Sequence, residues 1–173
     1  MKAAAAEALA AEAGLRRTVI EAGRFDLAAW RNEHAAGPRL VVYIEGDGAA
    51  WASRHRLSQD PTPRDPKALA LAVRDPRPAV AYLARPCQYV QPLGLGRNCH
   101  RDYWSSHRFS EAVIAASGRA LDRLKAAAGA RHLELIGFSG GGAVAALLAA
   151  RRNDVAALRT VAGNLDPAAV TRL

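Results

Sequence analysis

The pattern of apolar and polar positions along the chain predicts an open α/β sheet. Short apolar or β-branched runs, several of them bounded by Gly, Pro or Asp, are typical of strands. One run, residues 40–44, is apolar or aromatic throughout, as in a strand buried on both faces. The predicted strands cover residues 18–20, 25–30, 40–44, 79–83, 133–136 and 158–162, the first two forming a β-hairpin.

Helices are predicted between the later strands. Residues 67–73 are helix formers, with Asp65 placed as the N-cap and Pro66 at the first helical position. Apolar positions recur at helical spacing over residues 110–129, and residues 140–150 form a strongly apolar helix. The alternation predicts parallel strands joined by right-handed crossovers, with a functional site outside their carboxyl ends. The remainder of the proline-rich stretch before the third strand is expected to be mainly loop.

Length and composition favour one domain. With 173 residues, half of them hydrophobic, the chain can bury one sizeable core. No apolar run is long enough to span a bilayer. Residues 1–14 are rich in alanine, but Glu7 and Glu12 interrupt what a signal peptide would need. We expect a frayed leading helix there, which leaves the cellular compartment open.

Charge and cysteine content narrow the choice of partners. The net charge of +8 would suit an anionic partner, but the arginines are scattered along the sequence, so we expect no nucleic-acid binding. Cys87 and Cys99 lack the spacing of a metal or redox site, so no metal is expected. They could form one disulfide, worth roughly 3 kcal/mol for a loop of this size, or remain two small unpaired hydrophobic residues.

The chemistry-bearing motif lies at residues 137–141, which read Gly-Phe-Ser-Gly-Gly between a predicted strand and an apolar helix. This G-x-S-x-G pattern is typical of a nucleophilic serine on a sharp turn, where a side chain at Gly137 or Gly141 would collide with the backbone. Ser139 is therefore the predicted nucleophile. The N–H of Gly140, at the positive end of the helix, is the first expected oxyanion donor. A purely structural glycine turn is the alternative.

A second glycine loop follows the strand predicted over residues 40–44. Residues 43–48 read Tyr-Ile-Glu-Gly-Asp-Gly. Nucleophile-elbow enzymes take their second oxyanion donor from a loop after an earlier strand, often one that begins with histidine, where this chain has Glu45. Asp47 or Gly48 would supply that amide, because glycines let the backbone approach a substrate oxygen. An ordinary tight turn is the alternative.

These motifs resemble those of the α/β-hydrolase superfamily, and more closely bacterial serine esterase-like or lipase-like hydrolases. The resemblance covers the chain from about Leu15 onward and rests on residues 43–48, 85–89, 103–110, 137–142 and 162–166. It implies acyl-ester or related carbonyl hydrolysis of a small-molecule substrate through Ser139, without a cofactor. Such proteins are often exported, which fits a disulfide between Cys87 and Cys99.

The residues after Ser139 depart from this pattern. In the family, an acid and then a histidine follow the serine. All five histidines precede it, namely His34, His55, His100, His107 and His132. Asp154 would lie at the amino end of a strand, whereas Asp166 follows the last predicted strand at the correct edge. Asp166 could orient a histidine, or cap a helix before Pro167.

We therefore expect an α/β-hydrolase fold that is incomplete after about its sixth strand, with the catalytic histidine beyond Leu173. Serine is a poor nucleophile without a base, so little turnover is expected, although His107 leaves an unusual catalytic role open. The alternative function is a non-catalytic hydrolase-fold protein that binds a ligand or a partner. Missing strands would leave a sheet edge open to self-association.

Overall fold

The computed structural model describes residues 2–90 and 96–166, which form a six-stranded sheet flanked by helices. Along the chain the elements are α1 (Lys2–Ala11), β1 (Arg16–Ala22), β2 (Phe25–Arg31), β3 (Arg39–Ile44), β4 (Trp51–Ser53), β5 (Arg56–Leu57), α2 (Lys67–Val73), β6 (Val80–Leu83), a 3-10 turn (Arg101–Trp104), α3 (Glu111–Ala127), β7 (His132–Phe138), α4 (Gly140–Arg151) and β8 (Val155–Val161). Among these described helices, none is both long and apolar enough to cross a membrane.

The sheet confirms the predicted open, mostly parallel α/β architecture. Its strand order is β1-β2-β6-β3-β7-β8. The hairpin β1–β2 joins β6 antiparallel, and all later pairs are parallel. Strand β3 lies between β6 and β7, with Ile44 opposite Gly137. The loops that follow β3 and β7 therefore leave the sheet side by side, which places residues 45–48 next to Ser139.

Both faces of the sheet are covered, as the uninterrupted apolar run of β3 predicted. Leu40, Val42 and Ile44 face the layer formed by α3 and α4. Val41 and Tyr43 face the layer formed by α1 and α2. Because alternate residues of one strand fill two separate cores, the central strands are fixed from both sides.

The predicted leading helix is present as α1, but it packs against the sheet layer, so the expectation that it is frayed is wrong. Ala6 and Ala10 are fully buried. The Trp30 indole donates to Glu7 Oε2 at 3.1 Å, so this glutamate has a structural partner. At the helix start, Lys2 Nζ donates to Asp60 Oδ2 at 3.0 Å. The small side chains of Ala6 and Ala10 allow this helix to approach the neighbouring elements closely.

Helix α2 has the predicted bounds, but the assignment of Asp65 as its N-cap is wrong. Pro66 occupies the cap position and no side chain next to it caps the helix. The carboxylate that serves the first turn comes from Glu45, at the end of β3. Burial raises the pKa of Glu45, and hydrogen bonds from the amides of Ala68 and Leu69 are among those that oppose the rise. The first turn of α2 thus finds its hydrogen-bond acceptor in Glu45, which is distant in sequence, and not in the neighbouring Asp65.

A small hairpin interrupts the region expected to be mainly loop. Strands β4 and β5 pair antiparallel, with Trp51 opposite Leu57. The hairpin is exposed along most of its length, so it lacks the buried face that makes strands recognisable from sequence. It follows the loop of residues 45–48 directly.

Candidate active site

Ser139 forms a strained turn between β7 and α4. Its backbone has φ 51° and ψ −122°, a conformation that residues other than glycine rarely adopt. Hydrogen bonds hold the residue from two sides. Its N–H donates to the Val161 carbonyl at 2.9 Å, and its carbonyl accepts from Gly142 at 2.9 Å and from Asn164 at 3.0 Å. The loop after β8 therefore supports the turn that carries the serine.

The surrounding glycines are required by close packing, as the sequence predicted. A Cβ at Gly137 would collide with the carbonyl of Gly141. A Cβ at Gly141 would collide with the carbonyl of Ile44, the last residue of β3. The start of α4 therefore lies directly on the end of β3, and no side chain separates the two backbones.

The loop of residues 45–48 lies against the serine turn. A methyl group at Gly46 would be 3.3 Å from Ser139 Cβ, and one at Gly140 would collide with the carboxylate of Asp47. Gly48 has φ +66° and packs against the Pro61 carbonyl and the Gln88 side chain. The structure thus brings Ser139, Gly140 and Asp47 together, with Gly48 one residue further along the same loop.

Glu45 fixes the conformation of this loop from inside the protein. The side chain is buried, accepts the Gly46 N–H at 2.9 Å and accepts the Tyr82 hydroxyl at 3.1 Å. Burial raises the pKa of Glu45 above its ordinary value, and the hydrogen bonds partly oppose this. On the other side, Gln88 Nε2 donates to the Gly46 carbonyl at 3.0 Å. Both ends of residue 46 are therefore held by side chains.

Two arginines balance the charge of Asp47. Arg85 Nη1 lies 3.2 Å from Asp47 Oδ1, and Arg108 Nε lies 3.4 Å from Asp47 Oδ2. Arg85 is buried, and burial lowers the pKa of its guanidinium while Asp47 opposes that shift. The Phe109 ring lies 4.8 Å from the Arg108 guanidinium. The carboxylate beside the serine turn is thus held in place and offset by two positive charges.

The sequence alone assigned no role to Arg85, Gln88 or Arg108. Two segments of the family resemblance, residues 85–89 and 103–110, contain all three, which was the available signal. Their function depends on contacts with residues 45–48 that are distant in sequence, so no local pattern could reveal it.

A disulfide joins Cys87 to Cys99, which decides between the two alternatives left by the sequence. It links the segment of Arg85 and Gln88 to the region before the 3-10 turn. Cys87 and Tyr89 both have positive φ, at 72° and 65°. Over the residues that the structure describes, no group of three or more His, Cys, Asp or Glu side chains could hold a metal ion.

A cleft opens beside the serine turn. Its volume is about 440 Å³, within the range of small-molecule sites. The lining residues are Glu45, Gly46, Asp47, Gly48, Ala49, Trp51, Ala52, Pro63, Arg64, Asp65, Phe138 and Ser139. Every predicted site residue except Gly140 and Asp166 lines this cleft.

Within the described part of the chain, which includes all five histidines, none of them is hydrogen-bonded to Ser139. His107 is exposed, and its Nδ1 lies 2.9 Å from Ser106 Oγ. His132 begins β7, at the opposite end of the strand from the serine. Asp166 is exposed in the loop after β8, on the side of the sheet where Ser139 lies. The predicted cap role of Asp166 concerns Pro167 and later residues, which lie outside the described part of the chain.

No protein-family model and no curated protein matches this chain. Solved structures do. It is similar to a bacterial membrane phospholipase A described as a virulence factor, with 22% identity, a TM-score of 0.50 and coverage of 94% of this chain and 44% of that one. It is similar to Est1E from Butyrivibrio proteoclasticus with 16% identity and a TM-score of 0.51, and the match covers 90% of this chain and 54% of that one. It is also similar to a dienelactone hydrolase-like promiscuous phosphotriesterase from metagenomic libraries, with 20% identity and a TM-score of 0.52, and the match covers 88% of this chain and 60% of that one.

The chain therefore spans between 44% and 60% of the length of these structures. At such low identity, the likeness is one of fold.

Proposed function

We propose, on the premise that the chain has the α/β-hydrolase fold of these neighbours, that it carries the nucleophile and oxyanion elements of a serine hydrolase acting on small ester-like substrates. The observation that carries this proposal is the positive φ of Ser139 at a strand–helix turn beside a cleft. Strain of this kind persists where the surrounding structure enforces it, and it is concentrated at functional sites.

The proposed reaction begins with attack of Ser139 Oγ on the substrate carbonyl carbon. The negative charge that develops on the carbonyl oxygen would be bound by the amide of Gly140 and that of Asp47 or Gly48. The ester bond then breaks, the alcohol leaves, and water hydrolyses the acyl-enzyme. The positive end of α4 favours the same developing charge.

A general base must accept the Ser139 proton for rapid turnover. We propose that Asp166, in the loop after β8, would orient a histidine that reaches the cleft from that side. Without such a base, attack by the hydroxyl is slow, so we expect this chain to react with activated probes more readily than with ordinary esters.

A second candidate is a hydrolase-fold protein that binds ligands without catalysis. The observation that favours it is the absence of a hydrogen bond between Ser139 and any of the five histidines, all of which lie within the described residues. The two candidates differ in whether Ser139 reacts covalently.

A fluorophosphonate probe tests the proposal, because it forms a stable bond to an activated serine. We expect labelling of the chain and none of Ser139→Ala, measured by intact mass and by the mass of the labelled peptide. Ser106→Ala is the matched control, because Ser106 is exposed and its hydroxyl lies 2.9 Å from His107 Nδ1.

Labelling that persists in Ser139→Ala, or that is lost in Ser106→Ala, would contradict the assignment. If no serine is labelled while the cleft still binds ester analogues by calorimetry, Ser139 is not an activated nucleophile in this chain, which favours the non-catalytic alternative.

A further inference from the structure

The hairpin of β4 and β5, residues 51–57, projects an exposed tryptophan beside the cleft. Trp51 is 57% exposed and lines the cleft wall. The other two tryptophans are buried, Trp30 at 0% and Trp104 at 5% exposure. A single exposed hydrophobic residue is common, so Trp51 is informative through its setting: it is the exposed tryptophan of the three, it lies beside the cleft, and cationic side chains follow it in the hairpin. Trp51 is therefore the first component of a surface that we call the hairpin rim, comprising Trp51, Arg54, His55, Arg56 and Arg64.

The hairpin rim carries positive charge that its surroundings do not neutralise. Arg54, Arg56 and Arg64 are exposed, and within residues 2–90 and 96–166 none of the three has an ion pair or a side-chain hydrogen bond. The nearby carboxylates already have cationic partners: Asp47 with Arg85 and Arg108, Asp60 with Lys2, and Asp65 with Lys67. Three arginines thus remain available to an anionic partner.

We propose that the hairpin rim binds an anionic lipid surface. Tryptophan prefers the headgroup level of a bilayer, where its ring is partly buried and its N–H stays hydrated. Arginines within a Debye length of an anionic leaflet are attracted to it, each by a free energy equivalent to a factor of roughly five in binding. The net charge of +8 adds a long-range attraction of the same sign. Binding by this rim would place the cleft entrance at the membrane surface, and it does not require Ser139 to be catalytic.

The same chemistry fits nucleic acid less well. Proteins that bind single strands combine a cationic groove with a series of aromatic platforms that stack successive bases. The hairpin rim offers one indole on a short projecting element. A compact rim of this kind suits shallow insertion into a headgroup layer, and nucleic-acid binding is retained as an outcome of the test.

Vesicle sedimentation provides the first measurement. We expect the chain to sediment with mixed phosphatidylcholine–phosphatidylglycerol vesicles and not with phosphatidylcholine alone, and added salt should weaken the binding. Because Trp51 is the exposed tryptophan, binding should also shift the intrinsic fluorescence to shorter wavelength. Ser139→Ala should bind equally, which separates this proposal from the proposed hydrolase activity.

Variants locate the binding surface. The double substitution Arg54→Gln and Arg56→Gln should weaken vesicle binding by roughly 10- to 30-fold, and Trp51→Ala by roughly tenfold. The matched control is Arg123→Gln with Arg131→Gln, which removes the same charge from exposed positions elsewhere. Circular dichroism of each variant verifies the fold.

Three results would overturn the proposal. The first is no sedimentation with anionic vesicles. The second is an equal loss in the Arg123 and Arg131 control, which would mean that net charge alone attracts the chain. The third is tighter binding to a single-stranded oligonucleotide than to vesicles, which would identify a nucleic-acid surface.

Discussion

At the scale of single residues, Glu45 connects three parts of the molecule. Its carboxylate accepts hydrogen bonds from Gly46 and Tyr82, and the amides at the start of α2 act on its pKa. A buried acceptor with several donors resists displacement, because each donor left unpaired would cost about 1–3 kcal/mol. The loop beside Ser139 is therefore held by a residue that does not itself need to contact a substrate.

Substitutions at Glu45 should separate its charge from its hydrogen bonds. We expect Glu45→Ala to lower the free energy of unfolding by about 2–4 kcal/mol, since it leaves donors unpaired and a cavity behind. Glu45→Gln keeps an acceptor and should cost less than half of that. Chemical denaturation monitored by circular dichroism measures both, and equal losses would contradict this role.

The pH dependence of the same variants has a definite sign. Because burial raises the pKa of Glu45 above its ordinary value of 4.5, the folded state retains the proton more strongly than the unfolded state. The stability that the protonated Glu45 contributes to the fold is fully present below pH 4.5. It is lost as the pH rises through the raised pKa that Glu45 has in the folded state. Glu45→Gln does not titrate, so its free energy of unfolding relative to that of the original chain should increase as the pH rises through the folded-state pKa of Glu45.

The chemistry of single residues could be predicted only where it is local in sequence. Ser139 and its glycines were identified because a strained turn leaves a fixed spacing of small residues. The roles of Glu45 and Arg85 depend on partners brought near by the fold, and no spacing rule encodes them. Asp65 was assigned as a cap by the same local reasoning, and it failed because a distant carboxylate occupies that role.

At the scale of elements, the junction between α4 and β3 determines where the serine stands. Gly141 lies against the carbonyls of Ile44 and Glu45. This contact between two backbones leaves no room for adjustment by side-chain rotation, because neither partner has a rotatable group there. The position of Ser139 relative to the loop after β3 is therefore fixed by main-chain packing.

A glycine pair tests this junction. Gly141→Ala should destabilise the protein by about 3 kcal/mol or more, because the methyl group meets backbone atoms. Gly118→Ala, inside α3, finds only ordinary contacts and should stabilise the protein by about 0.5–1 kcal/mol through helix propensity. Thermal unfolding distinguishes the two, and similar shifts in melting temperature would refute the packing argument.

Elements with a buried face were predictable, whereas the exposed hairpin of β4 and β5 was not. The strands β3, β6 and β7 and the helices α3 and α4 have the continuous apolar runs or the apolar spacing that burial imposes. The hairpin of β4 and β5 is exposed, so its sequence carries no such run or spacing. The packing of α1 was also hidden, because alanines bury little surface and give a weak periodic signal.

At the scale of the whole molecule, the two edges of the sheet differ. Strand β8 has one neighbour, β7, among the described residues, and Leu158 and Val161 are 42% and 41% exposed. Edge β1 carries arginines and a glutamate, which discourage pairing with another chain. The edge at β8 has less of this protection, which supports the prediction of self-association.

The edge makes a testable difference in solution. We expect the average mass in sedimentation velocity to rise with protein concentration, through contacts between β8 strands of two copies. Leu158→Lys should shift this association to higher concentration by roughly tenfold, since a lysine on an edge opposes pairing. Val19→Lys, on the opposite edge, should not. A mass that is constant, or equally changed by both substitutions, would exclude β8 as the interface.

The covalent bond between Cys87 and Cys99 has a consequence beyond its own stabilisation. It anchors the stretch that holds Arg85 and Gln88, and these two side chains brace the loop next to Ser139. The thiol–disulfide balance of the surrounding medium is thereby coupled to the shape of the cleft beside Ser139, although neither sulfur lines it. A reducing compartment would leave the serine chemically intact and still loosen the loop expected to bind the oxyanion.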